Sequence, residues 1–176
     1  MLKRFTPDAY YDSIYDIQIE DLVGKGIKGL IIDLDNTLIP RDKTATPDKL
    51  MSWLKNLEKH GLRICVVSNN LRSRGNEISN KIKQPVISMA KKPSRAAFKK
   101  ALEILDTPID KTVVVGDQIF TDVFGGNRMG LKTILVVPLN GREFFATYFV
   151  RIVERFILRH LLRSKRIQKN KQVDFQ

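Results

Sequence analysis

Residues 29–38 read Gly-Leu-Ile-Ile-Asp-Leu-Asp-Asn-Thr-Leu. The apolar run has the character of a strand buried on both faces. Directly on its end stand Asp33 and Asp35, then Asn36 and Thr37. Two carboxylates one residue apart repel each other and are costly to desolvate. Something must be held by that pair, or attacked by it.

Working outward, runs 62–67, 85–88, 112–116 and 132–137 also read as short strands, with 28–33 as the first. Helical signals lie between most of them. Thr46-Pro47-Asp48 offers an N-cap and a proline at the first helical position, Leu50, Trp53, Leu54 and Leu57 recur at helical spacing, and Gly61 closes the segment. Pro93-Ser94 opens a second helix with Ala97, Ala101, Leu102 and Leu105 on one side. Residues 119–129 make a third, and residues 142–164 a long last one. Strands alternating with helices predict an α/β chain with a doubly wound parallel sheet covered on both faces. In such sheets ligands bind at the carboxyl ends of the strands, near the point where strand order reverses.

That rule gathers scattered polar residues into one site. Ser68-Asn69-Asn70 ends the second run; Lys91-Lys92-Pro93 follows the third; Gly116-Asp117 ends the fourth, with Asp122 shortly after. Asp33, Asp35 and Asp117 offer hard oxygen ligands suited to magnesium, and a divalent cation relieves the repulsion between them. It also neutralises a phosphate, so that an anionic carboxylate can approach as nucleophile. A lysine supplies a point charge for phosphate, and Ser68 and backbone N–H groups supply donors. A second acid beside the nucleophile can protonate a leaving alcohol and then activate water.

The ordered set D-x-D-x-T, S-N, K-P and G-D-x-x-x-x-D resembles the haloacid dehalogenase superfamily of aspartate-nucleophile phosphatases, over residues 28–137. The resemblance implies Asp33 as the nucleophile that becomes an aspartyl-phosphate, and Asp35 as general acid and base with its backbone carbonyl on magnesium. Thr37 would support the loop at the phosphate site. Ser68, with Asn69 beside it, would bind phosphate, and Lys92 would neutralise nucleophile and phosphate. Asp117 would ligate the metal directly, and Asp122 would orient Lys92 or a metal-bound water, giving Asp33, Asp35, Asp117 and Asp122 as the metal set. Asn36 stands where many members carry glycine, a small departure because Asn tolerates left-handed backbone. Dehalogenase branches usually lack an acid at the position of Asp35, so the chain resembles a phosphatase.

Many members insert a cap domain after the first or second motif. Between Leu38 and Ser68, and between Asn70 and Lys92, there is no room for one. With these motifs the chain is similar to a capless subgroup, the bacterial YqeG-like phosphatases and the mitochondrial phosphatidylglycerophosphate phosphatases. This resemblance implies phosphatidylglycerophosphate, a membrane lipid with an exposed terminal phosphomonoester, as substrate.

The last fifth of the chain bears on that reading. Phe144, Phe145, Tyr148, Phe149, Ile152, Val153, Phe156, Ile157 and Leu161 recur as one apolar helical face, and Arg151, Arg155, Arg159 and Arg163 form a ridge. From Arg142 onward there are nine basic and three acidic residues, half of the formal net charge of +12. A basic amphipathic helix suits an anionic lipid surface, and equally the last helix of a doubly wound domain packs on its sheet. Domain organisation is therefore expected as a phosphatase domain over 1–141, an amphipathic helix over 142–164, and a basic tail over 165–176 without fixed structure.

The rest of the composition sets bounds. The 176 residues, 43% hydrophobic and 28% charged, suit one soluble domain. A single cysteine, Cys65, in an apolar run fits a reducing compartment and a buried structural role. No apolar leader follows the first basic residues, so a cytoplasmic protein is expected, peripheral on the membrane's cytoplasmic face. Residues 24–29, Gly-Lys-Gly-Ile-Lys-Gly, precede a strand and read as a turn, not a phosphate loop. The competing readings are a phosphatase for nucleic-acid ends or a soluble metabolite, and a binding module that keeps the fold without turnover. The aromatic-plus-basic stacking motifs of single-strand binders are missing, which disfavours nucleic acid.

Overall fold

The computed structural model describes residues 2–139, 145–170 and 175, with the side chains of residues 2 and 145–149 outside the description. Six strands form one sheet: β1 (Ala9–Tyr11), β2 (Gly29–Asp33), β3 (Arg63–Val67), β4 (Val86–Ile87), β5 (Thr112–Gly116) and β6 (Lys132–Val136). Their order is β1-β6-β5-β2-β3-β4, and every described pairing is parallel. From β2 the chain winds outward through β3 to β4, then crosses back to β5 on the other side of β2. The order therefore reverses between β2 and β5, and the carboxyl ends of these two strands carry Asp33 and Asp117.

Side-chain alternation along the central strands divides the core. Leu30, Ile32, Ile64, Val66, Val113 and Val115 pack on one face with Leu22 of α1 (Ile19–Gly24), Leu50, Leu54 and Leu57 of α2 (Asp48–Lys59), and Ile78 and Ile82 of α3 (Arg72–Ile82). Ile31, Cys65, Val67 and Val114 pack on the other face with Ala97, Phe98, Ala101 and Leu105 of α4 (Arg95–Leu105). Both faces are covered and Cys65 is buried, as the sequence predicts. Ser94 caps α4 by accepting from the Ala96 N–H, and Gly61 turns the chain after α2 at φ 75°. Gly26, at φ 71°, makes a turn of the glycine-rich stretch before β2.

The segments between Thr37 and Ser68 and between Asn70 and Lys92 hold one helix each, α2 and α3, so no cap domain is inserted. Of the strands and α-helices described, β1, α1 and α3 lie outside the sequence reading. β1 is only three residues long, α1 only six, and α3 is so polar that Gly75, Ile78 and Ile82 are its only buried residues. The predicted helix over 119–129 begins as a π-helical turn, Ile119–Val123, and continues as α5 (Phe124–Met129).

The last helix, α6 (Phe145–Arg163), lies against β1, β6 and the π-turn. Leu161 is fully buried with Tyr10, Ile119, Val123, Leu135 and Ile167, and Ile157 and Leu158 pack at the margin. The expected apolar face coincides with this contact only at Ile157 and Leu161. Val153 and Phe156 are exposed, and the predicted positions Phe144, Phe145, Tyr148 and Phe149 lie outside the described side chains. Arg151, read as the start of an outward basic ridge, is buried instead. The tail after Ser164, expected to lack fixed structure, is held over its described part: Lys169 bridges to Tyr10, the Asn170 N–H donates to the Tyr10 carbonyl at 2.7 Å, and Asn170 Nδ2 donates to Asp12 at 2.7 Å. Ile167 supplies the apolar contact that composition alone did not weigh.

Candidate active site

Strand β2 delivers Asp33 to the rim of the sheet, and the chain then turns at Asn36, whose φ of 67° is left-handed. The turn closes through the Asn36 N–H on the Ile39 carbonyl at 2.8 Å and Asn36 Oδ1 on the Arg41 N–H at 3.0 Å. It sets Thr37 beside β5, where its hydroxyl donates to Asp117 Oδ1 at 3.2 Å. The structure thus places Thr37 on the aspartate at the end of β5.

Lys92 is buried at the centre. Its ammonium donates to Asp33 Oδ1 at 2.5 Å and to Asp122 Oδ1 at 2.6 Å. Its backbone is clamped by Asn69, whose Oδ1 accepts from the Lys92 N–H at 2.7 Å and whose Nδ2 donates to the Lys92 carbonyl at 3.2 Å. Asn69 therefore acts on the lysine. Asp122 stands in the π-turn, and its Oδ2 accepts from the Gln118 N–H at 3.1 Å. Gly116 makes room for it, since a Cβ there would lie 2.3 Å from the Asp122 carboxyl carbon. An extra residue inserted into a helix is a common way to aim a side chain at a site.

Asp35 points elsewhere. It accepts from Ser68 Oγ at 2.7 Å and from Arg74 Nε at 3.0 Å, with Asn70 Nδ2 at 3.4 Å. Arg74 also donates to the Lys43 and Pro40 carbonyls, tying α3 to the loop after β2. Arg74 carried no signal in the sequence, because nothing local marks an arginine on a polar helix as facing inward.

Asp33, Asp117 and Asp122 each offer an oxygen within 4.8 Å of the others, whereas the Asp35 side chain is not in this group. Burial pushes Asp33 well above the usual carboxylate range, Lys92 opposes this, and Asp122 and Asp117 add to it. Burial alone would lower the Lys92 ammonium, but Asp122 and Asp33 outweigh it and the pKa is raised. Burial raises Asp117 to about 6 against the pull of Arg151. One oxygen, Asp33 Oδ2, is buried without any hydrogen-bond partner. An orphaned carboxylate oxygen in a surplus of negative charge fits a hard divalent cation or an electrophilic phosphorus.

Two further residues reach the cluster from α6. Arg151 donates through Nη1 to the Asp117 carbonyl at 2.7 Å and pairs through Nη2 with Asp117 Oδ2. Glu154 accepts from Arg151 Nη1 at 3.1 Å and from the Phe120 N–H at 2.9 Å. Burial raises Glu154 to about 7, against the Phe120 N–H and Arg151. Beside this network lies a groove of about 430 Å³ lined by Phe5, Pro93, Gln118, Phe120, Thr121, Phe124 and Val150. Pro93 and Gln118 directly follow Lys92 and Asp117 in the chain.

Comparison with known proteins agrees with this geometry. The family model described as "HAD-hyrolase-like" matches residues 89–138. The chain is 41% identical to the probable phosphatase YqeG of Bacillus subtilis, over 96% of this chain and 98% of that protein. It is 31% identical to the chloroplastic/mitochondrial phosphatidylglycerophosphate phosphatase 1 of Arabidopsis thaliana, over 84% of this chain but only 45% of that longer protein. The corresponding chloroplastic enzyme of Chlamydomonas reinhardtii is 29% identical over 77% of this chain and 54% of its own length. Among solved structures, an uncharacterized protein of Listeria monocytogenes superposes with a TM-score of 0.53 at 16% identity, covering 67% of this chain and 85% of that one. An uncharacterized protein of Corynebacterium glutamicum does so with a TM-score of 0.51 at 25% identity, covering 74% and 96%. The fold, the strand-end cluster and near full-length similarity to YqeG converge: this chain belongs to the YqeG-like phosphatases of the haloacid dehalogenase superfamily.

Proposed function

We propose that the chain is a magnesium-dependent phosphomonoester hydrolase that works through an aspartyl-phosphate on Asp33, with phosphatidylglycerophosphate at a membrane surface as its substrate. The observation that carries the chemistry is Asp33: Oδ1 is held by Lys92, while Oδ2 is buried and unpartnered. In the first half-reaction an Asp33 oxygen attacks phosphorus, the bond from phosphorus to the leaving oxygen breaks, and the Asp35 carboxyl, protonated and swung out of its bonds to Ser68 and Arg74, gives its proton to that oxygen. In the second, water attacks the phosphorus of the aspartyl-phosphate, Asp35 takes the water's proton, and Asp33 leaves as carboxylate with release of phosphate. Ser68 and Lys92 bind the phosphate, Asn69 holds Lys92, and Thr37 holds Asp117. The cation would be held by Asp33, Asp117 and the Asp35 carbonyl, with Asp122 behind it. When bound it supplies charge that neutralises the phosphate oxygens.

Three features support a lipid phosphate. The relatives named as phosphatidylglycerophosphate phosphatases share 29% and 31% identity with this chain. The uncapped site adjoins a groove walled by Phe5, Phe120 and Phe124, suited to the apolar body of a lipid. On α6, Val153 and Phe156 are exposed together with Arg155 and Arg159, a surface for anionic headgroups. Among the described residues no helix is long and apolar enough to cross a membrane, so contact with lipid would be peripheral. The test is phosphate release from phosphatidylglycerophosphate in mixed micelles, a 5′-phosphorylated oligonucleotide and a soluble sugar phosphate. The lipid should be preferred by at least about tenfold in kcat/KM, a difference of roughly 1.4 kcal/mol. Equal low activity on all three would overturn the lipid assignment, and preference for the oligonucleotide would replace it with the nucleic-acid reading.

A further inference from the structure

We propose that Arg151, backed by Glu154, is a positioning residue for the metal centre: it fixes Asp117, so that α6 is a working part of the active site although it lies outside all four motifs. This rests on the reading above that Asp117 ligates the cation. The guanidinium spans the residue it holds, with Nη1 on the Asp117 carbonyl at 2.7 Å and Nη2 on its carboxylate. Two fork-shaped bonds to two ends of one residue fix side-chain direction as well as distance. Without Arg151, the only described side-chain donor to the Asp117 carboxylate is the Thr37 hydroxyl, on Oδ1 at 3.2 Å.

A mere tether for the helix would not need this construction. α6 already has an apolar anchor at Leu161, fully buried against Tyr10 and Leu135. Burying ions to do the same work is costly, and a buried pair is often no better than well-packed apolar residues. Arg151, Glu154 and Asp117 are nonetheless 6%, 5% and 4% exposed. Glu154 also accepts from the Phe120 N–H at 2.9 Å, in the π-turn that carries Asp122. The pair therefore braces two of the three clustered carboxylates, Asp117 directly and Asp122 through its backbone. Glu154 Oε2 accepts from Arg151 Nη1 at 3.1 Å, which holds the guanidinium in place against Asp117.

The test titrates manganese(II) into the metal-free full chain and reads free ion by electron paramagnetic resonance, for wild type, R151M, R151K and E154Q. Circular dichroism checks folding in each. R151M should bind the ion about 10–100-fold more weakly, as removal of an outer partner of a metal ligand typically does. R151K, with one compact donor that cannot span both acceptors, should fall between R151M and wild type, and E154Q should show a smaller loss. Activity at saturating metal should recover toward wild type while the metal concentration for half-activity stays shifted. Unchanged affinity with a lowered melting temperature would make Arg151 only a helix tether and overturn the proposal. Tighter binding in R151M would make it a competing cation, and overturn it equally. If R151M fails to fold, R151K and E154Q decide by the same readings. A wild type that takes up no manganese would overturn the metal reading itself, a result distinct from any difference between the variants.

Discussion

Two buried polar networks meet at Asp117 and differ in how the chain builds them. On the sheet side, Asp33 ends a short strand and Ser68, Lys92 and Asp117 come after three others, and the parallel topology brings those four ends together. On the helix side, Arg151 and Glu154 sit three residues apart on one turn of α6, within a segment that composition marks as basic surface. In the first network position follows from strand and turn. In the second it follows from how a helix docks, which local sequence does not determine. The lesson is that chemistry placed by topology shows as a motif, whereas support for it arriving from a distant helix looks like ordinary charge.

Substitutions on the two sides should separate by size. Asp33→Asn keeps the shape and removes the attacking carboxylate, so phosphate release should fall on the order of 10⁴-fold or more, measured as kcat on an aryl phosphate. Lys92→Met removes the cation shared by Asp33 and Asp122 and should cost roughly 10²–10³-fold in kcat. A residual activity near wild type in either would break the sheet-side account. Gly116→Ala should act on stability: its Cβ would lie within 2.5 Å of Asp122, so overpacking of about 1–3 kcal/mol is expected in a urea titration.

The helix side should report through pH. Glu154 titrates at about 7 in the folded chain against an ordinary 4.5, so between these values the folded protein holds a proton that the unfolded chain has shed. Its contribution to stability is therefore present below about 4.5 and is lost as pH rises toward about 7, a change on the order of 1–3 kcal/mol. Metal-free wild type should lose more of its urea midpoint between pH 5 and pH 8 than E154Q does. Parallel profiles would break the assignment. The smallest effect belongs to Phe156→Ser on the outer face, 65% exposed. It should change stability by no more than about 0.5 kcal/mol and leave aryl phosphate turnover intact, while weakening binding to anionic vesicles several-fold.

Most of the sheet was legible because apolar, β-branched runs with turn signals dictate strands almost locally. Runs 112–116 and 132–137 became β5 and β6 with a shift of one residue at most, while β1 was invisible because three residues carry no period. α3 was missed because only Gly75, Ile78 and Ile82 of its eleven residues are buried and the rest are polar, too few apolar positions to show a period. At the site, Asp33, Lys92, Asp117 and Asp122 converge, as expected of motifs that follow the carboxyl ends of strands in a doubly wound sheet. The partners of Asp35, Ser68 and Arg74, were half legible: Ser68 ends a strand, but Arg74 has no mark. Arg151 misled for a geometric reason. Residues four apart on a helix turn by about 40° relative to each other, so the stripe Arg151, Arg155, Arg159, Arg163 winds from the buried side to the exposed one. Only its first member faces the site.

The central claim is that Asp33 carries the phosphoryl group. A single turnover quenched in acid, followed by peptide mass spectrometry, tests it directly. One phosphoryl group should appear on the peptide containing Asp33, labile to hydroxylamine, and it should be absent in D33N. A fully active enzyme that yields no phosphopeptide at any quench time, or yields it on another residue, would contradict the account.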